Sequence, residues 1–134
     1  MQRDRPVLLF VVNDPGFFLT HRLPVARAAA QAGHDVQVAT PYGASVAEIS
    51  SLGFAHHPIP LRRRSLSPFG ELRTVFALYR LFRSLTPDIV HLITIKPILY
   101  GGIAARLAGV PAVVASVTGL GAVFTLPGVT TLAL

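Results

Sequence analysis

Two short stretches of this chain carry side chains suited to holding an anion. In the first, Thr20-His21-Arg22 sets a hydroxyl, an imidazole and a guanidinium at the mouth of an Ala-rich helical stretch, where unpaired N–H groups favour negative charge. Arg22 could fork onto a phosphate there. The alternative is that Thr20 caps the helix, His21 bonds a neighbouring loop and Arg22 is solvated. In the second, Thr94-Ile95-Lys96-Pro97 carries the chain's single Lys just before another helix start, a place for a point charge against a phosphate, although a lone loop Lys is usually just solvated. Asn13 and Gly16 upstream, Tyr100 downstream and Thr118-Gly119 further on complete the phosphate-binding candidates. Backbone N–H groups along Thr118 to Gly121 could meet an oxyanion. Gly101-Gly102 would weaken a helix unless something packs closely against it, another helix before a ligand.

Several chemistries are excluded. The Asn13 to Phe18 segment lacks the Gly-x-Gly-x-x-Gly spacing that seats a dinucleotide pyrophosphate, and no Gly-x-x-x-x-Gly-Lys-Ser/Thr run exists. With no Cys, neither disulfides nor thiolate metal sites are available. His56-His57 sit one residue apart on a strand pattern, so their rings point to opposite faces. The six acidic residues are scattered without the local spacing of a carboxylate site. No bound metal or resident cofactor is expected.

The candidates need a scaffold, and the punctuation of the chain supplies one. Pro6 to Val12 is an uninterrupted apolar run before Asn-Asp-Pro-Gly, the signature of a strand buried on both faces. A helix follows from about Thr20 to Ala32, with Pro24 required in or near its first turn and Gly33 as its cap. Asp35 to Thr40, Phe54 to Ile59, Asp88 to Ile93 and Pro111 to Val117 read as further strands. Between them lie helices over Ala44 to Leu52, Ser67 or Pro68 to Leu85 and Pro97 to Ala108, with Ser67 a fitting N-cap. This alternation predicts an α/β fold, a doubly wound parallel sheet of Rossmann-like type. In a 3-2-1-4-5 strand order the reversal falls between the first and fourth strands, so the loops at Asn13 to Phe18 and Thr94 to Tyr100 face each other across a crevice.

Twelve basic residues against six acidic ones give a net charge of +6, and eleven of the twelve are Arg, which favours anionic partners. Arg62-Arg63-Arg64 precede a helix carrying Arg73, Arg80 and Arg83. Leu72, Val75, Phe76, Leu78, Tyr79, Leu81 and Phe82 spread around most of that helix, more apolar surface than one sheet face needs. Contact with an anionic membrane surface through Arg62, Arg63, Arg64, Arg73 and Arg80 is one reading; burial against another domain, with the Arg run as a solvated turn, is the other. Nucleic acid is not an expected partner, because no exposed aromatics interleave with the basic run. Gly and Pro interrupt the uncharged tail after Arg106, so no spanning helix is expected, and the seven-residue apolar run near the start is short for a signal peptide. The expected location is cytoplasmic, peripheral to the inner face of the membrane.

Five segments in order resemble the N-terminal half of bacterial family 4 glycosyltransferases with the GT-B architecture, of the capsule, O-antigen and exopolysaccharide type. They are Gly16 to Pro24, Ala32-Gly33-His34-Asp35-Val36, Pro87-Asp88-Ile89-Val90-His91, Thr94 to Pro97 with Tyr100 to Arg106, and Thr118-Gly119-Leu120-Gly121. The resemblance implies two Rossmann-like domains facing a cleft. Residues 1–134 would form the acceptor-side domain, which holds a saccharide often carried on a polyprenyl diphosphate; a nucleoside-diphosphate sugar is the co-substrate, bound mostly by a C-terminal domain or partner subunit. The paired Glu of such a C-terminal domain are not in this sequence, and the chain alone is expected to be nearly inactive. Many members place a His after the fifth strand where Thr118 stands here, so His21 is only a substitute catalytic candidate. The alternative is a non-catalytic membrane-docking subunit of a split transferase.

Overall fold

The computed structural model describes residues 5–61 and 68–117. Its elements run β1 (Val7–Val12), α1 (Pro15–Phe17), a first π turn (Phe18–Arg22), α2 (Leu23–Gln31), β2 (Asp35–Thr40), α3 (Val46–Ser51) and β3 (Ala55–Pro58). They continue with α4 (Pro68–Leu85), β4 (Ile89–Ile93), a second π turn (Pro97–Gly101), α5 (Gly102–Ala108) and β5 (Ala112–Ser116). The strands form one parallel sheet in the order β3-β2-β1-β4-β5, the arrangement that the alternation of apolar runs and turns predicts.

All six residues of β1 are buried, because helices cover both faces. Alternate residues sort the core into two layers. Leu9 and Val11 join Val90 and Leu92 under Leu78 and Phe82 of α4 and Ala104 and Ala105 of α5. Leu8, Phe10 and Val12 join Val36, Val38 and Ile93 under Phe18, Ala26 and Ile49 on the other side. Each fully buried Phe or Leu contributes about 1.5–3 kcal/mol of transfer free energy. Gly33 and Gly109 end their helices at φ +102° and +75°, backbone that a side chain would strain.

The first helix departs from expectation. It starts at Pro15, not near Thr20, and Asp14 is its N-cap, its carboxylate accepting from the Gly16 N–H at 3.2 Å. Thr20 caps nothing; its hydroxyl donates back to the Gly16 carbonyl at 2.9 Å. Pro24 lies, as required, in the first turn of α2 behind its cap residue Arg22 (φ −118°, ψ −5°), although a helical path precedes it. The π turn immediately before it explains how: widening the i→i+4 ladder removes the need for the amide that Pro lacks. Gly101 is also explained differently. A Cβ there would lie 2.5 Å from Cδ2 of Leu92, so the close approach is to the sheet rather than to another helix, while Gly102 faces open space. Ser67 lies outside the described residues.

Candidate functional site

β1 and β4 pair with Val12 opposite Ile93, so the chain leaves the sheet at Asn13 and at Thr94 side by side. The two connections that sequence reasoning set face to face do meet at the carboxyl edge. The anion-attracting helix mouth does not lie where it was expected. The free end is at Pro15, and Asp14 already occupies it, so Thr20, His21 and Arg22 lie beyond the first turn rather than at it. A Cβ on Gly16 would meet Ser45 Oγ at 3.6 Å and the Asp14 carboxylate at 3.7 Å, ordinary van der Waals contact.

The π turn splits the directions of these residues. His21 is exposed and stacks on Phe17, with ring centroids 4.3 Å apart and planes within 19°. Arg22 is half-buried, and its Nε is fully enclosed with no hydrogen-bond partner among the described residues. A buried donor without a partner costs about 1–3 kcal/mol, a cost that a bound acceptor atom would remove.

Beside Arg22 lies a residue that sequence reasoning did not single out. His91 of β4 is buried at 7% exposure, stacked on Phe10 at 5.1 Å, with its Nε2 2.7 Å from the Ser116 hydroxyl. Burial, and then the positive charge of Arg22, lower its pKa from 6.5 to about 4, so the ring is neutral at physiological pH. The available signal was a lone polar residue inside the apolar strand Ile-Val-His-Leu-Ile.

On the other wall, Thr94 has φ +72°, a left-handed backbone that is an outlier for a β-branched residue. Its amide donates to the Ser116 carbonyl at 3.1 Å, and its Oγ1 is buried without a partner among the described residues. Such strain clusters at functional sites. Lys96 opens the second helical path with helical backbone, φ −63° and ψ −48°. Tyr100 turns away toward α4: burial and a hydrogen bond to the Glu71 carboxylate raise its pKa. Thr118 and Gly119 lie outside the described residues.

The remaining candidates spread away from the crevice. His56 bonds Thr40 and His57 bonds Gln37, each at 2.7 Å, on opposite faces as the spacing requires. Burial lowers both pKa values, with His57 adding to the effect on His56. His34 bonds the Ala29 carbonyl at a helix end. Among the described residues no cluster of three His, Asp or Glu could hold a metal ion. On α4, Phe69, Leu72 and Phe76 are 83%, 67% and 60% exposed, sharing the outward face with Arg73, Arg80 and Arg83. The Arg80 guanidinium lies 5.9 Å from the Phe76 ring centre. Arg62, Arg63 and Arg64 lie outside the described residues. No described helix is long and apolar enough to cross a membrane. A groove of about 370 Å³ lined by Arg83, Thr86, Asp88 and Pro111 lies at the amino edge of β4 and β5, away from these groups.

The chain has clear relatives. A family model for glycosyl transferase 4-like proteins matches residues 7–133. Over 61 residues the chain is 41% identical to the Escherichia coli UDP-Gal:alpha-D-GlcNAc-diphosphoundecaprenol alpha-1,3-galactosyltransferase, covering 46% of this chain and 16% of that enzyme. Its fold is similar to that of Acinetobacter baumannii MurG, with TM-score 0.64 and 26% identity over 83% of this chain and 34% of that one. A glycosyltransferase from Rickettsia africae has TM-score 0.69 at 19% identity, over 85% and 30% of the two chains. The chain thus spans about a third or less of the length of each.

Proposed function

Because the chain belongs to the glycosyl transferase 4-like family, we propose that it is the acceptor-side unit of a transferase that moves a sugar from a nucleoside diphosphate to a lipid-linked saccharide. The observation that carries this reading is the crevice between β1 and β4. There the enclosed, unpartnered Arg22 Nε and Thr94 Oγ1 lie on elements that flank the strand-order reversal, with Lys96 at the start of the second helical path. A diphosphate supplies the oxygen acceptors those donors lack, and a fixed guanidinium suits it better than mobile solvent. The diphosphoundecaprenol-linked acceptor named for the Escherichia coli relative has this chemistry.

In the reaction an acceptor hydroxyl attacks the anomeric carbon, the bond from that carbon to the nucleotide phosphate breaks, and a base takes the hydroxyl proton. His21, exposed beside Phe17, is the candidate base. The donor nucleotide is held mainly by a second domain or partner. The outward face of α4 rests on anionic lipid, with Phe69, Leu72 and Phe76 in the interface and Arg73 and Arg80 at the headgroups. On this reading the protein works at the inner face of the membrane, where a polyprenyl-linked acceptor is presented.

The test is titration of the purified chain with polyprenyl-diphosphate-linked GlcNAc in detergent micelles and, separately, with UDP-galactose. The expected result is saturable binding of the lipid-linked sugar, weakened about tenfold by Arg22→Gln, weak nucleotide binding, and no turnover when both are present. Rapid sugar transfer by the chain alone, or tight nucleotide binding without acceptor binding, would overturn the proposal.

A further inference from the structure

Three strands, β1, β4 and β5, end side by side at the carboxyl edge, and one imidazole touches groups from each strand neighbouring its own. His91 lies on β4, its ring stacked on Phe10 of β1 at 5.1 Å with the planes 30° apart and its Nε2 2.7 Å from the hydroxyl of Ser116, the last residue of β5. The first π turn seats on the same Phe10 ring, Phe18 packing edge-on against it at 5.5 Å, and Arg22, four residues on in that turn, bears on the imidazole through its charge. We infer that His91 is a positioning residue that, fixed by Ser116 and Phe10, forms the wall holding the Arg22 guanidinium toward a phosphate group in the crevice. The inference rests on the phosphate reading of that crevice and names the group that orients its cation.

The chemistry favours an imidazole here over other residues of its size. A carboxylate would neutralise Arg22 and compete with the ligand, whereas a Lys would repel it. A Phe or Leu would leave the Ser116 hydroxyl without its partner in a buried place. A neutral imidazole offers Ser116 a hydrogen bond and leaves the full positive charge with Arg22. The same contact ties the end of β5 to β4, and Ser116 also accepts the Thr94 amide through its carbonyl. One buried hydroxyl-bearing residue thus joins the Arg22 wall to the Thr94 wall.

The experiment uses inorganic pyrophosphate as the probe on the 134-residue chain. Binding is measured by calorimetry for the wild type, Arg22→Gln, Ser116→Ala, His91→Phe and the doubles with Arg22→Gln. Arg22→Gln should lose about tenfold in affinity, and His91→Phe and Ser116→Ala about three- to tenfold. In the Arg22→Gln background the second change should add nothing, because its effect runs through Arg22. Additive losses would overturn the inference, as would unchanged affinity in both single variants. If His91→Phe does not fold, Ser116→Ala carries the same cycle.

A ligand-free arm separates this idea from the reading beneath it. The His91 ring is titrated by NMR in the wild type and in Arg22→Gln, with the midpoint rising in the variant as the neighbouring charge is removed. An unmoved midpoint would overturn the contact. If wild type fails to bind pyrophosphate while the midpoint moves, the phosphate reading fails and the His91–Arg22 coupling stands.

Discussion

The two ends of the central strands are finished differently. At the amino edge β1, β2 and β4 are tied together: the Asp88 carboxylate accepts the Val7 amide at 2.8 Å, the Asp88 amide donates to the Val7 carbonyl at 3.0 Å, and the Asp35 amide donates to the Pro6 carbonyl at 2.8 Å. At the carboxyl edge Arg22 Nε and Thr94 Oγ1 are enclosed without partners among the described residues and both exits pass through π turns, whereas left-handed backbone occurs at both edges, at Thr94 here and at Thr86 (φ +44°) before β4. One edge locks the sheet and the other retains unspent hydrogen-bonding capacity. The groove of about 370 Å³ at the locked edge is lined by residues such as Arg83, Thr86, Asp88 and Pro111 and includes neither Arg22 nor Thr94. The chemistry is the better guide, because an enclosed unpaired donor is costly in a folded chain and rarely kept without use.

Changes at each edge should sharpen that contrast. Asp88→Ala should destabilise most, by about 2–3 kcal/mol in urea unfolding, since it strips a charged acceptor from the backbone of a buried strand, and it should leave pyrophosphate affinity unchanged. Gly101→Ala should cost about 1–3 kcal/mol by driving a methyl into Leu92. At the open edge the sign should reverse. Thr94→Gly should stabilise by about 1 kcal/mol by relieving the left-handed backbone, while weakening pyrophosphate binding through the lost hydroxyl. A destabilised Thr94→Gly would break the comparison.

Acid should act through histidine. His91, His56 and His57 all have pKa values lowered in the folded chain, so below pH 6.5 the unfolded chain takes up protons that the folded one refuses. Stability is complete above about pH 6.5 and falls as pH drops toward about 4, the His91 value. Urea midpoints measured across that window should decline, with a shallower slope in His91→Phe. The smallest effect should be on α4, away from both edges: Arg80→Gln should reduce sedimentation with anionic vesicles about fivefold without changing binding to zwitterionic ones, whereas Phe76→Ser should weaken both.

Strand order and the facing of the two connections were legible in the sequence, because apolar runs and their Gly and Pro boundaries are local signals; the separate short helix α1 was not. Nor were the π turns. A π turn differs from an α turn by a single backbone hydrogen-bond choice, and Pro24 pointed instead to a helix beginning beside it. Within the site, Arg22 and Lys96 announced themselves by charge. His91 did not, because its meaning depends on Ser116, 25 residues away, and only the β4–β5 register brings the two together. Thr94 was legible as a hydroxyl but not as a strained one, since Thr favours extended backbone. Arg62 to Arg64, Thr118 and Gly119 lie outside the described residues, and their roles rest on chemistry alone.

The first π turn also has a bearing on how such chains diverge. Compared with an ordinary α path it carries one extra residue, so the angular phase of Phe18–Arg22 is uncoupled from that of α2, where Ala26 seats against the core. Deleting a single residue within it would restore a regular spiral and swing the upstream side chains by about 100°, while the packed half of the helix stayed in place. Ligand preference in related proteins can therefore drift by a one-codon loss or gain here, without a single change in the interior.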